Sequence, residues 1–248
     1  MAIVAAGQPA PDFTLRTGEG EAFTREHGRV GLVARGVRGA RSRFARASLQ
    51  PLQPLLIGWR ARGAIGTLTS AEQTGSPWRL SGDALIAGMY VNELVLRLSS
   101  RNDAHPAAFA AYTDCLARLA DAGDIAWTLR RFERDLLADL GYALMLTHTT
   151  AGEPIDPDVA YAYIGDAGPV AWRDDCGFAR IAGSALLALD RDEPPAAPDL
   201  ADLRRLMRSI IGDLGGGPRN AWGLSSRRIV DTIDHTRKAD TPADFVES

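Results

Sequence analysis

Near Ser81 the spacing of the apolar residues changes, and that change constrains the fold more than anything else in the chain. Before it, apolar residues come in short runs between glycines: Val30 to Ala34 after Gly28, Leu55-Leu56-Ile57 inside Pro51 to Trp59, and Ile65 to Thr69 after Gly63. Runs this short suit strands, and Gly36, Gly39, Gly58, Gly63, Gly66 and Gly75 supply turns or bulges between them, so the first 80 residues read as a small barrel or sandwich. After Ser81 the apolar residues recur every three or four positions, which is the period of an amphipathic helix.

Four long helices and a short one follow from that period, the fourth over Pro198 to Leu214. Ser81 is placed to cap a helix over about 82–98, with Leu85, Met89 and Leu96 on one face. Phe109, Tyr112, Leu116 and Leu119 mark a helix over about 107–121. Leu129, Phe132, Leu136 and Leu140 mark one over 125–140, with Gly141 placed to end it. The widest apolar stripe runs from Leu200 to Leu214 and stops at Gly215-Gly216-Gly217-Pro218, and Ser225 to His235 suits a last short helix. Within 146–195, Tyr161 to Ile164 and Val170 to Trp172 flank Gly165-Asp166-Ala167-Gly168, the pattern of an inserted hairpin. The reading is α+β: a β domain over 1–80, a helical domain over 81–238 that carries the 146–195 insertion, and a frayed polar tail over 239–248.

Charge is distributed as unevenly as the apolar residues. From Arg25 to Arg62 nine arginines stand against one acid, Glu26, a net +8 in a chain whose formal charge is −3. A basic segment on an acidic chain is the footprint of a polyanion partner, most often nucleic acid. The plainer alternative is a solvated, arginine-rich face. All nine are Arg, whose planar fork fits phosphate and whose flat cation stacks on bases. Phe44, between Arg43 and Ala45, is the candidate stacking residue, whereas Phe23 and Trp59 sit in apolar contexts and read as core.

Catalytic constellations are missing from the pattern. Gly215-Gly216-Gly217-Pro218 is followed by Arg219, so the Lys and Ser/Thr of a phosphate loop are not there. His27, His105, His148 and His235 are scattered, and Glu133 lies beside Arg130, Arg131 and Arg134, where a solvated or salt-bridged role fits better than acid–base chemistry. The two cysteines, Cys115 and Cys176, are far apart, form no CxxC pair and supply no zinc site; Cys115 sits in a helical pattern and reads as packed inside. No run approaches the ~20 apolar residues of a membrane span. With no basic leader at the start, a cytoplasmic, reducing location is expected. These absences tilt the reading from enzyme to binding protein.

The stretch from Phe23 to Arg38 (FTREHGRVGLVARGVR), continuing through Ser42-Arg43 to Leu49-Gln50-Pro51-Leu52, resembles the bacterial RecO recombination-mediator family. Tyr90 to Leu94 (YVNEL) resembles the family's first helix after its barrel. Arg131 to Leu137 with Leu140-Gly141-Tyr142 resembles its RFE…LL…LGY helix, and Leu214 to Pro218 with Ser225-Ser226-Arg227 its C-terminal hairpin. The matches run in order over roughly residues 22–235.

That resemblance implies an N-terminal OB-fold followed by a helical domain, in a nucleoid-associated protein of the RecFOR pathway that needs no cofactor. It implies binding of single- and double-stranded DNA, annealing of complementary strands, and loading of RecA together with RecR on DNA coated by single-stranded DNA-binding protein, whose acidic tail the family touches. Arg25, Arg29, Arg35, Arg38 and Arg43 fall on the matching motif, and Arg41 and Arg46 are adjacent basic positions. Two departures stand out. The four-cysteine zinc site of some members is missing here, and the family's usual first strand is not recognisable in residues 1–22, where Gly7-Gln8-Pro9-Ala10-Pro11 and Thr17-Gly18-Glu19-Gly20-Glu21 stand instead. The alternative is an interaction adaptor whose acidic helical domain docks partners and which binds little DNA of its own.

Overall fold

The computed structural model describes residues 2–3, 19–34, 49, 51–61, 63–121, 123–174 and 180–214, and they form an α+β fold. The N-terminal strands are β1 (Ala2–Ile3), β2 (Glu19–Thr24), β3 (Gly28–Val33), β4 (Leu55–Arg60) and β5 (Gly66–Gln73). They make one five-stranded sheet in the order β1-β2-β3-β5-β4. β2 and β3 form an antiparallel hairpin; β3 then pairs in parallel with β5, and β5 antiparallel with β4, where the register shifts between Gly58 and Trp59. No ladder joins β1 to β4 among the described residues.

The first strand departs from expectation. Glu19 to Thr24, which carries the Gly/Glu-rich stretch read as unlike a strand, is β2. The weakly apolar stretch is held there by its antiparallel partner: Ala22 pairs with Val30 and Phe23 with Arg29. Pairing across a hairpin overrides weak local propensity.

The hairpin turn 25–27 has a local cause. His27 N–H donates to Thr24 Oγ1 at 2.9 Å, and Gly28 takes a positive φ of 59°. A side chain at Gly28 would also collide with the Asp103 carbonyl, so the turn presses directly on the loop that leaves the first helix.

Alternation along the strands gives the sheet two different faces. Ala22, Val30, Leu32, Leu55, Ile57 and Leu68 are all buried, and the register puts Ala22 and Val30 on one face. On the opposite face Phe23, fully buried, reaches the helices; its ring lies 5.8 Å from Phe109 and 6.3 Å from Tyr112. Sheet and helices therefore share one continuous core.

The helical part begins with α1 (Gly82–Leu98), α2 (Pro106–Ala120) and α3 (Ile125–Asp139). α2 buries Phe109, Tyr112, Leu116 and Leu119, and α3 buries Leu129, Phe132 and Leu136, as their spacing predicts. Asp124 caps α3 by accepting from the Trp127 N–H at 3.0 Å, and Gly141, at φ 88°, follows its end.

On α1 the predicted face is wrong. Ala87, Tyr90, Val91, Leu94 and Val95 are buried, whereas Leu85 and Met89 are 41% and 44% exposed. Small and large residues share the buried face: Ala87 and Gly88 stand with Tyr90, Val91 and Leu94, and Gly88 lies against Leu80. Ser81 stands at the cap position, but its side chain makes no capping hydrogen bond.

A polar centre sits where the three helices meet. Arg130 and Glu133, 5% and 1% exposed, pair at 2.6 Å, and Tyr90 donates its hydroxyl to Glu133 Oε1 at 2.6 Å. Beside them Tyr112 donates to the Asn92 side-chain carbonyl. Glu133 is thus salt-bridged, and fully buried.

The insertion is larger than a hairpin. β6 (Ala160–Ile164) and β7 (Gly168–Ala171) form the expected pair, but β8 (Arg180–Ala182) adds a third strand on the other side of β6. Gly183–Arg191 is an additional helix, α4, and α5 (Ala197–Leu214) buries Leu203, Leu206, Met207, Ile210 and Ile211. The tail predictions beyond Leu214, including the helix at Ser225 to His235, lie outside the described residues.

Candidate nucleic-acid interface

Of the residues singled out for DNA contact, Arg25 and Arg29 are described; Arg35, Arg38, Arg41, Arg43, Phe44 and Arg46 lie outside the described residues. Arg25 is exposed in the β2–β3 turn. Arg29 points a different way. Its side chain is only 16% exposed, its Nε lies 3.3 Å from Glu21 Oε2, and NH1 donates to the Leu96 carbonyl of α1. The Nε–Oε2 approach lacks hydrogen-bond geometry, so it is a charge contact rather than a directed bond. Arg29 ties the sheet to the helices.

The same carboxylate holds a second arginine that lies outside the basic stretch. Arg101, in the segment after α1, donates through Nε and NH2 to Glu21 Oε1, the Nε contact measuring 2.7 Å. Its side chain remains 44% exposed. Nothing in the local sequence Ser99-Ser100-Arg101-Asn102 marks this residue; only the tertiary fold brings it to β3.

Two aromatic residues near the basic stretch lie as expected. Phe23 is core, and Trp59 is partly buried against the core. The exposed His27 meets Trp59 edge-on, with ring centroids 5.1 Å apart.

Reactive chemistry finds little support in the geometry. Cys115 is buried and free, and burial, reinforced by Asp114 and Glu133, pushes its thiol far above the ordinary value, so it is no nucleophile. His105 lies between two carboxylates, 3.0 Å from Asp139 and 3.4 Å from Asp103, at the start of α2. No group of three or more His, Cys, Asp or Glu suited to a metal ion occurs among the described residues. No helix among them is long and apolar enough to cross a membrane.

Comparison with known proteins matches both parts of the chain. Residues 21–77 match the family model described as Recombination protein O N terminal, and residues 79–221 that described as Recombination protein O C terminal. A protein of Xanthomonas oryzae pv. oryzae (strain PXO99A), named DNA repair protein RecO, is 44% identical over 210 residues, or 82% of this chain and 87% of the relative. A protein of the same name from Stenotrophomonas maltophilia (strain K279a) is 44% identical over 216 residues, or 86% of this chain and 89% of the relative. Another, from Aromatoleum aromaticum, is 42% identical over 216 residues, or 86% and 87%.

Proposed function

The chain belongs to the Recombination protein O family of DNA repair proteins, and from that premise we propose that it binds single- and double-stranded DNA, anneals complementary strands and loads RecA together with RecR. The observation that carries the reading is the pair of family matches covering both the sheet and the helices. Single-stranded DNA-binding protein is the further partner, and the cytoplasm, at the nucleoid, is the place of action.

The N-terminal sheet is read as an OB barrel. Five strands, in an order where β3 runs parallel to β5 between antiparallel pairs, support that reading. The mechanism is electrostatic and makes no bond: Arg25, Arg35, Arg38, Arg41, Arg43 and Arg46 neutralise phosphates, and Phe44 stacks on a base. Two strands screened in this way lose much of their mutual repulsion and can pair. Arg29 leaves the contact set, because Glu21 and the Leu96 carbonyl already hold it.

The test is titration of a labelled oligonucleotide at two salt concentrations, beside a strand-annealing assay. The triple variant Arg35→Ala, Arg38→Ala, Arg43→Ala is expected to flatten the log–log salt slope by about 0.7 per lost single-strand contact. Unchanged affinity and slope would remove these arginines from the mechanism. No DNA binding by the unaltered protein, with capture of RecR intact, would favour the adaptor reading.

A further inference from the structure

We infer that Arg101, supplied by the segment after α1, is a phosphate contact on the DNA path and that Glu21 holds it in position; the inference rests on the DNA-binding reading above. The backbone is the first argument. Arg101 forms a parallel bridge with Arg29, and Asn102 N–H donates to the Arg29 carbonyl at 2.9 Å. β5 pairs with β3 only at Leu32 and Val33. At its start, therefore, β3 takes its neighbour from the helical part, and Arg101 stands there as a sheet residue would.

The side chain is the second argument. Glu21 pairs with Gly31 across the β2–β3 ladder, so both lie on the face that Phe23 and Arg29 share. The Arg101 guanidinium lies over Gly31, its carbon 3.7 Å from where a Cβ would stand. A Cβ there would stand in ordinary van der Waals contact with it. Glu21 grips the Nε–NH2 edge. NH1 makes no hydrogen bond among the described residues, and the side chain is 44% exposed.

Charge is the third. Two guanidiniums share one carboxylate, which leaves one positive charge uncompensated. Arg29 is turned inward to the Leu96 carbonyl, so the surplus falls on Arg101. Asp103, two residues on, lies 3.4 Å from His105 Nε2, and Glu19 pairs with Val33 further along the face. From Gly31 the same face continues through Val33 and Thr67, which pair, to Arg60, which pairs with Thr67 and is exposed. β4 lies two strand spacings from β3, about 10 Å. A single strand laid across this face meets Arg101 at the edge of the helices and Arg60 at the far side.

The experiment uses the full chain with fluorescein-labelled oligo(dT) and has two arms. In the first, the unaltered protein is treated with phenylglyoxal with and without oligo(dT), and arginine adducts are mapped by mass spectrometry. Oligo(dT) is expected to protect Arg101, while Arg118, exposed on α2, reacts equally in both samples. In the second, Arg101→Ala is expected to bind oligo(dT) about fivefold more weakly near 0.1 M salt, with the log–log slope reduced by about 0.7. Equal modification of Arg101 with and without oligo(dT) would overturn the inference, as would a variant that melts earlier but keeps affinity and slope, the behaviour of a mere clamp. No binding by the unaltered protein would take down the DNA-binding reading and this inference together.

Discussion

The molecule contains two arginine–carboxylate assemblies of similar composition and opposite surroundings. In the helical bundle, Arg130 and Glu133 are almost completely buried, and Tyr90 donates its hydroxyl to Glu133. At the junction of sheet and helices, Glu21 carries two arginines, one turned inward and one half open to solvent. The first pairs one cation with one anion, and both the Arg130 guanidinium and the Tyr90 hydroxyl donate to Glu133 Oε1. The second carries a surplus cation at the surface. Depth and charge balance, more than residue type, therefore separate a guanidinium that specifies packing from one that can meet a ligand.

Removing one partner from each assembly should separate them most strongly. Glu133→Ala removes the buried anion that faces Arg130 inside the bundle and is expected to cost about 3–5 kcal/mol, measured by urea unfolding. Glu21→Ala leaves Arg29 on the Leu96 carbonyl and lets water reach Arg101, so its cost should stay near 1 kcal/mol. Equal losses at the two sites would break the comparison, because burial would then not be what distinguishes them.

The same contrast explains what the sequence made legible. The α3 network was half visible: Arg130, Glu133 and Arg134 stand within one turn of helix, and periodicity places Phe132 and Leu136 beside them. Tyr90, 43 residues away, completes it only through tertiary packing. At the junction even less was local. The basic stretch pointed to Arg29, but cross-strand pairing places Glu21 beside it, and the loop after α1 delivers Arg101 from 80 positions beyond Glu21. Helix positions followed the apolar period well because each buried face repeats within one segment. On α1 the period was legible and the face was not: Leu85 and Met89 stand at helical spacing, as do Tyr90, Val91 and Leu94, and only packing around Ala87 and Gly88 decides which set is buried.

A third ion pair fixes the shallow end of the scale. Arg118 and Asp114 lie one turn apart on α2 at 2.6 Å, with side chains 45% and 56% exposed. Their geometry is as short as that of Arg130 and Glu133, so distance alone assigns them equal worth. Water screens this pair, and holding two mobile side chains together costs entropy, so Arg118→Ala is expected to change stability by no more than about 0.5 kcal/mol. The acid lies nearer the N-terminus of α2 than the base, the favourable orientation for such a pair, so the small loss should shrink further in high salt. A loss comparable to that of Glu133→Ala, unaffected by salt, would mean that contact geometry rather than burial sets the strength of these pairs, and the functional distinction drawn between Arg130 and Arg101 would lose its physical basis.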